Sequence, residues 1–511
     1  MALGQAAARS GSRGDSGRGA GSGSALGKAA SPSLAGAMQA AGGPNPCWAL
    51  GLDLGTSSVK VALVEETERG VTVLDSCTRE TRAESRAESR GAEQGKEQDV
   101  RRIIGALNDC LRALPQPHLQ RVNYIGVSGQ MHGVVFWKTN QGCKWIENEA
   151  GQIFEPEEVS PLITWQDGRC SQSFLSSLPQ PQSHLNLATG FGCATIYWYS
   201  ENSPDFLKSY DAAGTIQDYV VAMLCDLKRP LMSSQNAASW GYFNCRRKSW
   251  NADILRESGF PHHLLPEVAE PSETAGRTPC VWHGIPKGTE VGVALGDFQC
   301  SVYSCMTERT DAVLNIGTSA QLTMPMPLGF QPPETPDPLS AVACFPYFSG
   351  NYLAVAASLN GGNVLATFVD MLAQWTAELG LEVQESTLYT RMIQAALAQK
   401  NTRLAICPTL FGERHMPEQL ASVTGIAVSD LSLGHVTRAL CHGIIQNLHS
   451  MLPPEHLKAA GVKQILACGS ALTRNEVLKQ EVERVYTLPV LYGKDVDAAV
   501  GSAMVMLRHR K

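Results

Sequence analysis

The hydrophobic and polar positions in Trp48–Val64 predict two antiparallel strands joined by a tight turn. An apolar run enters the turn, and after it Val59, Val61 and Leu63 share one face, which is the period-two pattern of a half-buried strand. The turn itself reads Asp-Leu-Gly-Thr-Ser-Ser over Asp53–Ser58. We therefore predict a hairpin whose connection has one carboxylate, one glycine and three hydroxyls.

This connection has the chemistry of a phosphate-binding loop. Gly55 lets backbone N–H groups approach an anion closely, and Thr56 and Ser57 add hydroxyl donors. Asp53 is placed to hold a hydrated Mg²⁺ opposite the phosphates. An ordinary hairpin also favours glycine, serine and threonine in its turn, so the motif alone leaves a structural interpretation open.

A second hairpin of the same pattern is predicted at Ala312–Met324. There an apolar run leads into Gly-Thr-Ser, Asn315 has the position that Asp53 has in the first copy, and alternating residues follow. Two such hairpins far apart in one chain predict a duplicated domain with a phosphate loop in each half. Only the first loop has a carboxylate, so we expect the halves to be alike in structure and unequal in chemistry.

Polar side chains follow a predicted strand at Val122–Val127, which comes after a predicted helix at Asp99–Leu114. The strand runs into Gln130, Met131 and His132 between glycines, and the carboxyl end of a strand is where α/β proteins usually bind small polar ligands. A histidine satisfied within a turn is the alternative. The flanking glutamine and glycines favour a ligand contact.

The stretch Ile163–Arg169 combines an aromatic ring with planar polar groups, which is one way in which proteins bind sugars. Trp165 would cover the carbon face of a sugar, and Asp167 and Arg169 would bind its hydroxyls. The alternative is that Trp165 belongs to the core and that Asp167 pairs locally with Arg169. The motif by itself favours neither interpretation.

A buried helix is predicted at Ala213–Leu227, followed by a polar loop that begins at Gln235. Burial explains the apolar positions of this helix without any function. Asp218, Gln235 and Asn236 are weaker candidates for the same sugar pocket.

A strand at Val291–Gly296 is predicted to end directly before Asp297, which stands near the start of a helix with Gln299 close by. An aspartate at such a place is commonly a helix N-cap. Its position favours catalysis as well, because Asp297 lies at the join between the halves and shortly before the second phosphate loop. A carboxylate at the end of a rigid strand is well placed to act on a bound ligand.

Length and composition limit the class of protein. A chain of 511 residues is expected to form two domains of roughly 200 to 250 residues. A hydrophobic fraction of 43%, a charged fraction of 18% and a net charge of -6 predict a soluble, mildly acidic protein without a basic surface for nucleic acid. No apolar run approaches a membrane span of roughly 20 residues.

Fifteen cysteines without a C-x-x-C pair argue against a disulfide framework or a zinc site and favour a reducing, cytoplasmic compartment. Residues 1–46 are rich in alanine, glycine and serine, and we predict a disordered extension there. A mitochondrial transit peptide is the alternative, although the glycines disfavour the amphipathic helix that it requires.

Eight short motifs occur in order: GLDLGTSSVK, SGQMHG, WQDGRC, ALGDFQ, NIGTS, LNGGN, GERHMP and CGSALTRN. In this order and at these separations the chain resembles the FGGY carbohydrate kinases, from Trp48 to about Leu507. Any one motif is weak evidence, whereas eight in order are strong. The resemblance implies an α/β fold of two actin-like (ribonuclease H-like) domains with mixed sheets flanked by helices and the active site in the cleft between them.

The same resemblance divides the chain and assigns roles. Residues 47–306 would form the domain with the sugar site, the first phosphate loop and the base, and residues 307–511 the domain with the second phosphate loop and the adenosine site. Asp53 would assist the metal and the phosphates, and Asp297 would be the catalytic base. The other nucleotide positions would be Thr56, Ser57, Gly317, Thr318, Gly361, Gly362 and the stretch from Gly469 to Asn475. The sugar positions would be Met131, His132, Trp165, Asp167, Arg169 and, beside the base, Gln299.

The implied activity is phosphorylation of the primary hydroxyl of a ketose, sedoheptulose, by ATP with Mg²⁺. The expected partners are therefore the ketose and MgATP, with no nucleic acid and no membrane, and the sequence assigns no oligomeric state. Xylulose or ribulose is the alternative substrate, and a non-catalytic sugar sensor or an actin-like assembly protein is the alternative of another class. Glu413 and Arg414 are expected either to form an ion pair beside the cleft or to contact a ligand.

Overall fold

The computed structural model describes residues 47–68, 70–86, 94–306, 308–337, 339–416, 418–493 and 496–509. The predicted disordered extension over residues 1–46 lies outside these described residues. Within them, the chain forms helices and mixed β-sheets, as predicted for an α/β protein.

The part of the chain that precedes residue 307, called the first half below, contains the strands β1 (Cys47–Leu54), β2 (Ser58–Thr67), β3 (Gly70–Glu80), β4 (Glu84–Arg86), β5 (Lys96–Gln98), β6 (Tyr124–Gly129), β7 (Val135–Trp137), β8 (Cys143–Asn148), β9 (Gly151–Pro156), β10 (Leu162–Ile163), β11 (Ala212–Gly214), β12 (Leu231–Ser233), β13 (Phe243–Asn244), β14 (Ser249–Trp250), β15 (Glu267–Ala269), β16 (Thr274–Arg277), β17 (Glu290–Gly292) and β18 (Leu295–Gly296). Its α-helices are α1 (Val100–Ala113), α2 (Gln116–Leu119), α3 (Gln172–Ser177), α4 (Gly192–Asn202), α5 (Pro204–Leu207), α6 (Ile216–Cys225), α7 (Ser234–Ala238), α8 (Ala252–Glu257) and α9 (Asp297–Cys305). A short 3₁₀-helix spans His262–Leu264.

The second half contains the strands β19 (Asp311–Ile316), β20 (Ala320–Pro325), β21 (Val342–Pro346), β22 (Tyr352–Ser358), β23 (Ala405–Cys407), β24 (Ser422–Thr424), β25 (Gln464–Cys468) and β26 (Val490–Tyr492). Its α-helices are α10 (Gly362–Glu378), α11 (Glu385–Leu397), α12 (Leu433–Met451), α13 (Pro454–Ala459), α14 (Ser470–Thr473), α15 (Glu476–Val485) and α16 (Ala498–Arg508). Two 3₁₀-helices span Phe348–Gly350 and Val428–Asp430.

The main sheet of the first half has the strand order β16-β17-β6-β1-β2-β3, and β18 also pairs with β6. Strands β1 and β2 are antiparallel, with Asp53 opposite Lys60, which confirms the first predicted hairpin. On its other side β1 runs parallel to β6, and Asp53 is there opposite Ser128. The end of β1 is therefore flanked by a lysine and a serine.

The main sheet of the second half has the strand order β21-β22-β20-β19-β25-β26. Strands β19 and β20 are antiparallel, with Asn315 opposite Gln321, which confirms the second predicted hairpin. Strand β19 also runs parallel to β25, where Asn315 is opposite Cys468.

The two sheets share one plan, because β3-β2-β1-β6-β17 in the first corresponds to β22-β20-β19-β25-β26 in the second. In both, the first hairpin strand lies between an antiparallel neighbour and a parallel one, and the third strand continues the antiparallel ladder. Each sheet buries aliphatic side chains against its own helices. The duplication that the two hairpins predicted is therefore present in the topology.

Helices α9 and α16 connect the halves. Val302 and Cys305 of α9 pack against apolar residues of the second sheet. Helix α16 lies on β1 and β6, so close that a Cβ atom on Gly51 would stand 1.7 Å from the carbonyl oxygen of Ala499. The division at residues 306 and 307 stays a prediction, although α16 comes from the second half in sequence and packs on the first sheet.

Two local predictions need correction. The polar loop expected from Gln235 onward begins instead as helix α7, because Ser233 caps it by accepting from the backbone N–H of Asn236 at 3.4 Å. The helix predicted over residues 213–227 starts later, at Ile216, after a capping box in which Thr215 and Asp218 satisfy each other's backbone groups. The Asp218 carboxylate thereby acts as a cap.

Candidate active site

Asp53 lies at the end of β1, where the strand enters the loop Asp53–Ser58, called the first loop below. Its Oδ1 accepts a hydrogen bond of 3.1 Å from the hydroxyl of Ser128. Lys60, its neighbour across the hairpin, forms an ion pair with Asp497, the N-cap of α16. The end of the first strand therefore combines two carboxylates and one ammonium group.

Asp297 is the first residue of α9 and directly follows β18. Its Oδ1 accepts the backbone N–H of Phe298 at 2.7 Å. The N-cap position belongs to Gly296, so the expectation that Asp297 is itself the N-cap is wrong. A carboxylate in the first turn still has a favourable interaction with the positive end of the helix.

The two carboxyl groups have pKa values near neutrality. Burial is the main cause that raises the pKa of Asp53 to about 7, and the negative charge of Asp297 raises it further. The Ser128 hydrogen bond and then the Lys60 charge act in the opposite direction. Burial also raises the pKa of Asp297 to about 6, against the stabilising N–H of Phe298. Both carboxyl groups therefore keep their protons to a higher pH than an ordinary aspartate does.

His132 follows β6 in a left-handed conformation, with a φ of 75°. Its Nδ1–H donates to the carbonyl oxygen of Ser239 at 2.8 Å, and its ring stacks on Phe191 at a centroid distance of 4.7 Å. Burial lowers the pKa of His132 to about 4, the Ser239 carbonyl opposes this shift, and the charge of Arg414 lowers the pKa further. The imidazole is therefore neutral at pH 7, and its Nε2 is an acceptor for a hydroxyl proton.

Met131 and Gln299 meet beside the strand end that carries Asp297. A Cβ atom on Gly296 would stand 2.8 Å from the sulfur of Met131 and 2.2 Å from Oε1 of Gln299. Gln299 Nε2 donates to the carbonyl oxygen of Pro346 at 3.2 Å, and its buried Oε1 has no partner among the described residues. Two of the predicted sugar positions therefore flank the candidate base.

Trp165 is 39% exposed, and its Nε1–H donates to Oγ1 of Thr56 at 3.0 Å. It therefore lies against the first loop and not in the core. Ser57, the next residue of that loop, is exposed. Trp165, a predicted sugar position, therefore contacts Thr56, a predicted phosphate position.

Asp167 and Arg169 form the local pair that the sequence left open. Arg169 Nε and Asp167 Oδ1 are 2.8 Å apart, and both side chains are fully buried. The guanidinium also binds Glu97 at 2.7 Å and the hydroxyl of Tyr199 at 2.7 Å. Local pairing is confirmed, and a direct sugar contact of either side chain stays a prediction.

The second loop, Asn315–Ser319, contacts the LNGGN turn, Leu359–Asn363. The N–H of Gly362 donates to the carbonyl oxygen of Gly317 at 2.8 Å, and the N–H of Asn363 donates to that of Thr318 at 3.0 Å. A Cβ atom on Gly361 would stand 2.5 Å from the backbone of Ser319. These predicted nucleotide positions therefore form one packed backbone surface.

Gly469 brings the predicted adenosine segment to the same place. It has a φ of +100°, and a Cβ there would stand 2.4 Å from the carbonyl oxygen of Ile316. Asn475 has a different position, because its buried carboxamide caps α15 by accepting the N–H groups of Val477 at 3.0 Å and Leu478 at 3.1 Å. An adenosine contact of Asn475 stays a prediction.

Gln98, Lys60 and Asp497 lie beside the site and were missed by sequence reasoning. Gln130 Nε2 donates to Oε1 of Gln98 at 3.0 Å, and Gln98 Nε2 donates to the carbonyl oxygen of Thr56 at 2.7 Å, so these two side chains brace the first loop. Lys60 was predictable from the hairpin register opposite Asp53. Nothing in the sequence places Asp497 beside it.

The groups around Asp53 suit a metal ion whose other ligands are water and the phosphates of a bound substrate. Among the described residues, no three His, Cys, Asp or Glu side chains lie together as a metal-binding group. Asp53 offers a hard carboxylate oxygen, and Mg²⁺ typically combines one or two carboxylates with water and substrate phosphates. These residues fit such a cation. In the part of the chain that the structure describes, no helix is long and apolar enough to cross a membrane.

The sequence is similar to proteins of known family. Residues 48–303 match the FGGY family of carbohydrate kinases, N-terminal domain. The chain is 67% identical to mouse sedoheptulokinase over 462 residues, which cover 90% of this chain and 97% of that protein.

Solved structures share the fold at low sequence identity. The xylulose kinase of Rhodospirillum rubrum aligns with a TM-score of 0.74 at 19% identity over 90% of this chain and 89% of that one. The Plasmodium falciparum glycerol kinase with ADP aligns with a TM-score of 0.68 at 16% identity over 90% and 89%. The predicted fold of two actin-like domains is confirmed.

Proposed function

The chain belongs to the FGGY family of carbohydrate kinases, and from that premise we propose that it transfers the terminal phosphoryl group of MgATP to the primary hydroxyl of sedoheptulose. The product would be sedoheptulose 7-phosphate. The observation that carries the proposal is the carboxylate pair: Asp297 stands at a strand end and helix start, and its charge reaches Asp53 beside the first loop.

Asp297 is the base in this proposal. Its pKa of about 6 leaves it mostly ionised at pH 7 and still basic enough to accept a proton from a hydroxyl that attacks phosphorus. The rigid junction of β18 and α9 fixes its direction. Phosphoryl transfer has a loose transition state, so positioning and charge stabilisation matter more than covalent chemistry.

Asp53 would hold the magnesium ion, with the first loop on one side of the phosphates. When bound, Mg²⁺ supplies positive charge that balances the phosphate oxygens. It would also offset the repulsion between Asp53 and Asp297 that raises the pKa of Asp53. Thr56 and Ser57 contribute hydroxyl donors at the same loop.

The sugar would lie between β6 and α9. His132 is held neutral with Nε2 free to accept a sugar hydroxyl, Met131 and Gln299 flank the base, and Trp165 offers an exposed ring next to the first loop. Asp167 and Arg169 support this wall by their buried pairing. These contacts would orient the primary hydroxyl toward Asp297.

The nucleotide would bind the second half. The second loop and the LNGGN turn present closely packed backbone, and Gly317, Thr318, Gly361 and Gly362 lie together there. Gly469 adds the predicted adenosine segment to the same surface. ATP as the donor is supported by this surface and by the fold that the chain shares with a glycerol kinase bound to ADP.

The choice of sugar is supported by the name of the mouse relative, which matches this chain over nearly its whole length. Xylulose or ribulose is the alternative, since the same contacts would hold a shorter ketose. A non-catalytic sensor or an assembly protein would not need the two carboxylates, and both are present at the strand ends of the first sheet.

A cytoplasmic location is part of the proposal. It is supported by fifteen cysteines of which none forms a disulfide within the described residues. Subcellular fractionation of a cell that expresses the full chain tests it, and recovery in an organelle fraction would contradict it.

A ketose panel tests the activity. Purified protein is incubated with MgATP and sedoheptulose, xylulose, ribulose or glycerol, while ADP release is followed and the product is identified by mass. We expect the highest kcat/KM with sedoheptulose and a monophosphate product. A preference for xylulose or ribulose would assign the chain a different sugar substrate within the same family. ADP release that no sugar stimulates would contradict the kinase proposal.

A further inference from the structure

Glu413 is a buried carboxylate that is held by neutral donors. The residue is 1% exposed, and among the described residues its carboxylate forms no ion pair and accepts hydrogen bonds from neutral groups. The expected pairing with Arg414 is therefore wrong, and Arg414 itself is exposed. A buried carboxylate without a cation is costly unless hydrogen bonds satisfy it, so its partners deserve a functional explanation.

Four donors converge on this carboxylate. Oε1 accepts from the hydroxyl of Ser358 at 2.6 Å, from Nδ2 of Asn360 at 2.9 Å and from Nδ2 of Asn447 at 2.7 Å. Oε2 accepts from the backbone N–H of Leu359 at 3.1 Å. Three of the four donors lie in the segment that ends β22 and opens the LNGGN turn.

The same two segments are joined a second time through Asn360. Its Nδ2 donates to the carbonyl oxygen of Gly412 at 2.8 Å, and its Oδ1 accepts from the backbone N–H of Phe411 at 3.2 Å. Ser358 Oγ in turn accepts the N–H of Asn360 at 2.9 Å. The start of the LNGGN turn is therefore attached to the loop at residues 411–413 by side chains on both sides.

The end of the LNGGN turn is held within the turn itself by Asn363, whose Oδ1 accepts from the backbone N–H of Gly361 at 2.8 Å and whose Nδ2 donates to the carbonyl oxygen of Leu359 at 2.8 Å. Gly361 is the N-cap of α10 and has no side chain to cap it. Gly362 and Asn363 donate their backbone N–H groups to the second loop. The turn is thus fixed at its start by Glu413 and in contact at its end with the loop that we propose binds phosphate.

We propose that Glu413 is a positioning residue for nucleotide binding, whose carboxylate fixes the start of the LNGGN turn so that Gly361 and Gly362 stay packed on the second loop. This inference rests on the proposed function, because it takes these loops as the nucleotide site. Glu413 acts through the turn and does not touch the substrates.

The chemistry of the four contacts explains why a carboxylate is needed. A carboxylate only accepts hydrogen bonds, and all four partners donate. Glu413→Gln would keep an oxygen for Ser358, Asn360 and Asn447 but would place an NH₂ group against the N–H of Leu359. The substitution therefore removes one backbone contact of the turn and leaves two donors opposed, with almost no change in volume.

Binding of MgADP by titration calorimetry, together with steady-state kinetics, tests the proposal. We expect Glu413→Gln to weaken MgADP binding and to raise KM for MgATP by about tenfold, with KM for the sugar unchanged within about twofold. Unaltered MgADP affinity in Glu413→Gln would overturn the proposal. A wild-type chain that binds no MgADP would instead contradict the proposed function.

A matched control separates positioning from general destabilisation. Asp311 is another buried carboxylate of the second half, and it accepts from the N–H of Glu308 at 2.9 Å and from Nε2 of Gln464 at 2.8 Å. It lies at the start of β19, at the opposite end of that strand from the second loop. We expect Asp311→Asn to lower the melting temperature and to leave MgADP affinity unchanged. Equal loss of affinity in both variants would show a merely structural role for Glu413.

A milder variant keeps the test open if Glu413→Gln does not fold. Asn447→Ala removes one donor to the carboxylate from α12, and with it a contact of 3.0 Å to the hydroxyl of Ser358, but it leaves the carboxylate bound to Ser358, Leu359 and Asn360. We expect it to weaken MgADP binding by about threefold with the sugar KM unchanged. No change in MgADP affinity of a folded Asn447→Ala protein would count against the proposal.

Discussion

The first loop and the second loop stand at the same place in two sheets of the same plan, yet they have different chemistry. In the first, Asp53 lies between Lys60 on one side and Ser128 on the other. In the second, Asn315 lies between Gln321 and Cys468, and its Oδ1 points toward the backbone of Gly469. Charge is thus confined to one copy, while the backbone turn is kept in both.

This difference shows what the two loops need to share and what they do not. A glycine-containing turn between antiparallel strands brings backbone N–H groups to an anion whatever its flanking side chains. Proton transfer and metal binding require a carboxylate. Burying a charged carboxylate is unfavourable, and this is why the pKa values of Asp53 and Asp297 are raised. A further carboxylate at the second loop would add repulsion without a new role.

The largest effect is expected from removing the base beside the first loop. Asp297→Asn should lower kcat by about 10³-fold, because the shape of the site survives and the proton acceptor does not. Sugar binding, measured by calorimetry without nucleotide, should stay nearly unchanged. Full activity of this variant would show that Asp297 is not the base. The two loops would then have no demonstrated difference in function.

Making the first loop neutral, like the second, should have a smaller effect on activity and the opposite effect on stability. We expect Asp53→Asn to lower kcat by about 100-fold, since the carboxylate for the metal is lost. The wild-type pKa rises on folding from 3.8 to about 7, so ionisation disfavours the folded state. The stability linked to this group is fully present below pH 3.8 and is lost as the pH rises through about 7.

Thermal unfolding at two pH values checks this sign. Asp53→Asn should raise the melting temperature by about 2–4 °C at pH 8 and should change it little near pH 4. A lower melting temperature at pH 8 would show that the Asp53 carboxylate stabilises the fold. In that case the two loops would differ for a structural reason.

Making the second loop charged, like the first, should have the smallest effect. Asn315→Asp places a carboxylate near the proposed phosphate site, and we expect MgADP to bind about tenfold more weakly because of like-charge repulsion. The neutral variant Asn315→Ala is the control and should retain most of the affinity. Tighter MgADP binding by Asn315→Asp would mean that a second metal carboxylate is tolerated there.

Much of the fold and part of the site were predictable from local patterns. Both hairpins and helix α1 follow from residues that alternate or recur within a few positions, whereas the single strand predicted before Asp297 is divided into β17 and β18. The carboxylates Asp53 and Asp297 were identified one by one, from the turn and strand end that hold them. The predictions that failed, such as the loop in place of α7, concern short segments in which a single cap decides between turn and helix.

The sequence by itself determined the two hairpins and the residues at their turns. Residues two apart in a strand lie on the same face of the sheet, so the alternation of apolar and polar residues shows which face is buried. Only the tertiary structure decided that Lys60 pairs with Asp497, that His132 is neutral, and that Glu413 binds the LNGGN turn. These contacts join positions that are distant in the chain. Their strength depends on burial and on the direction of individual donors, and neither is fixed until distant segments of the chain have packed together.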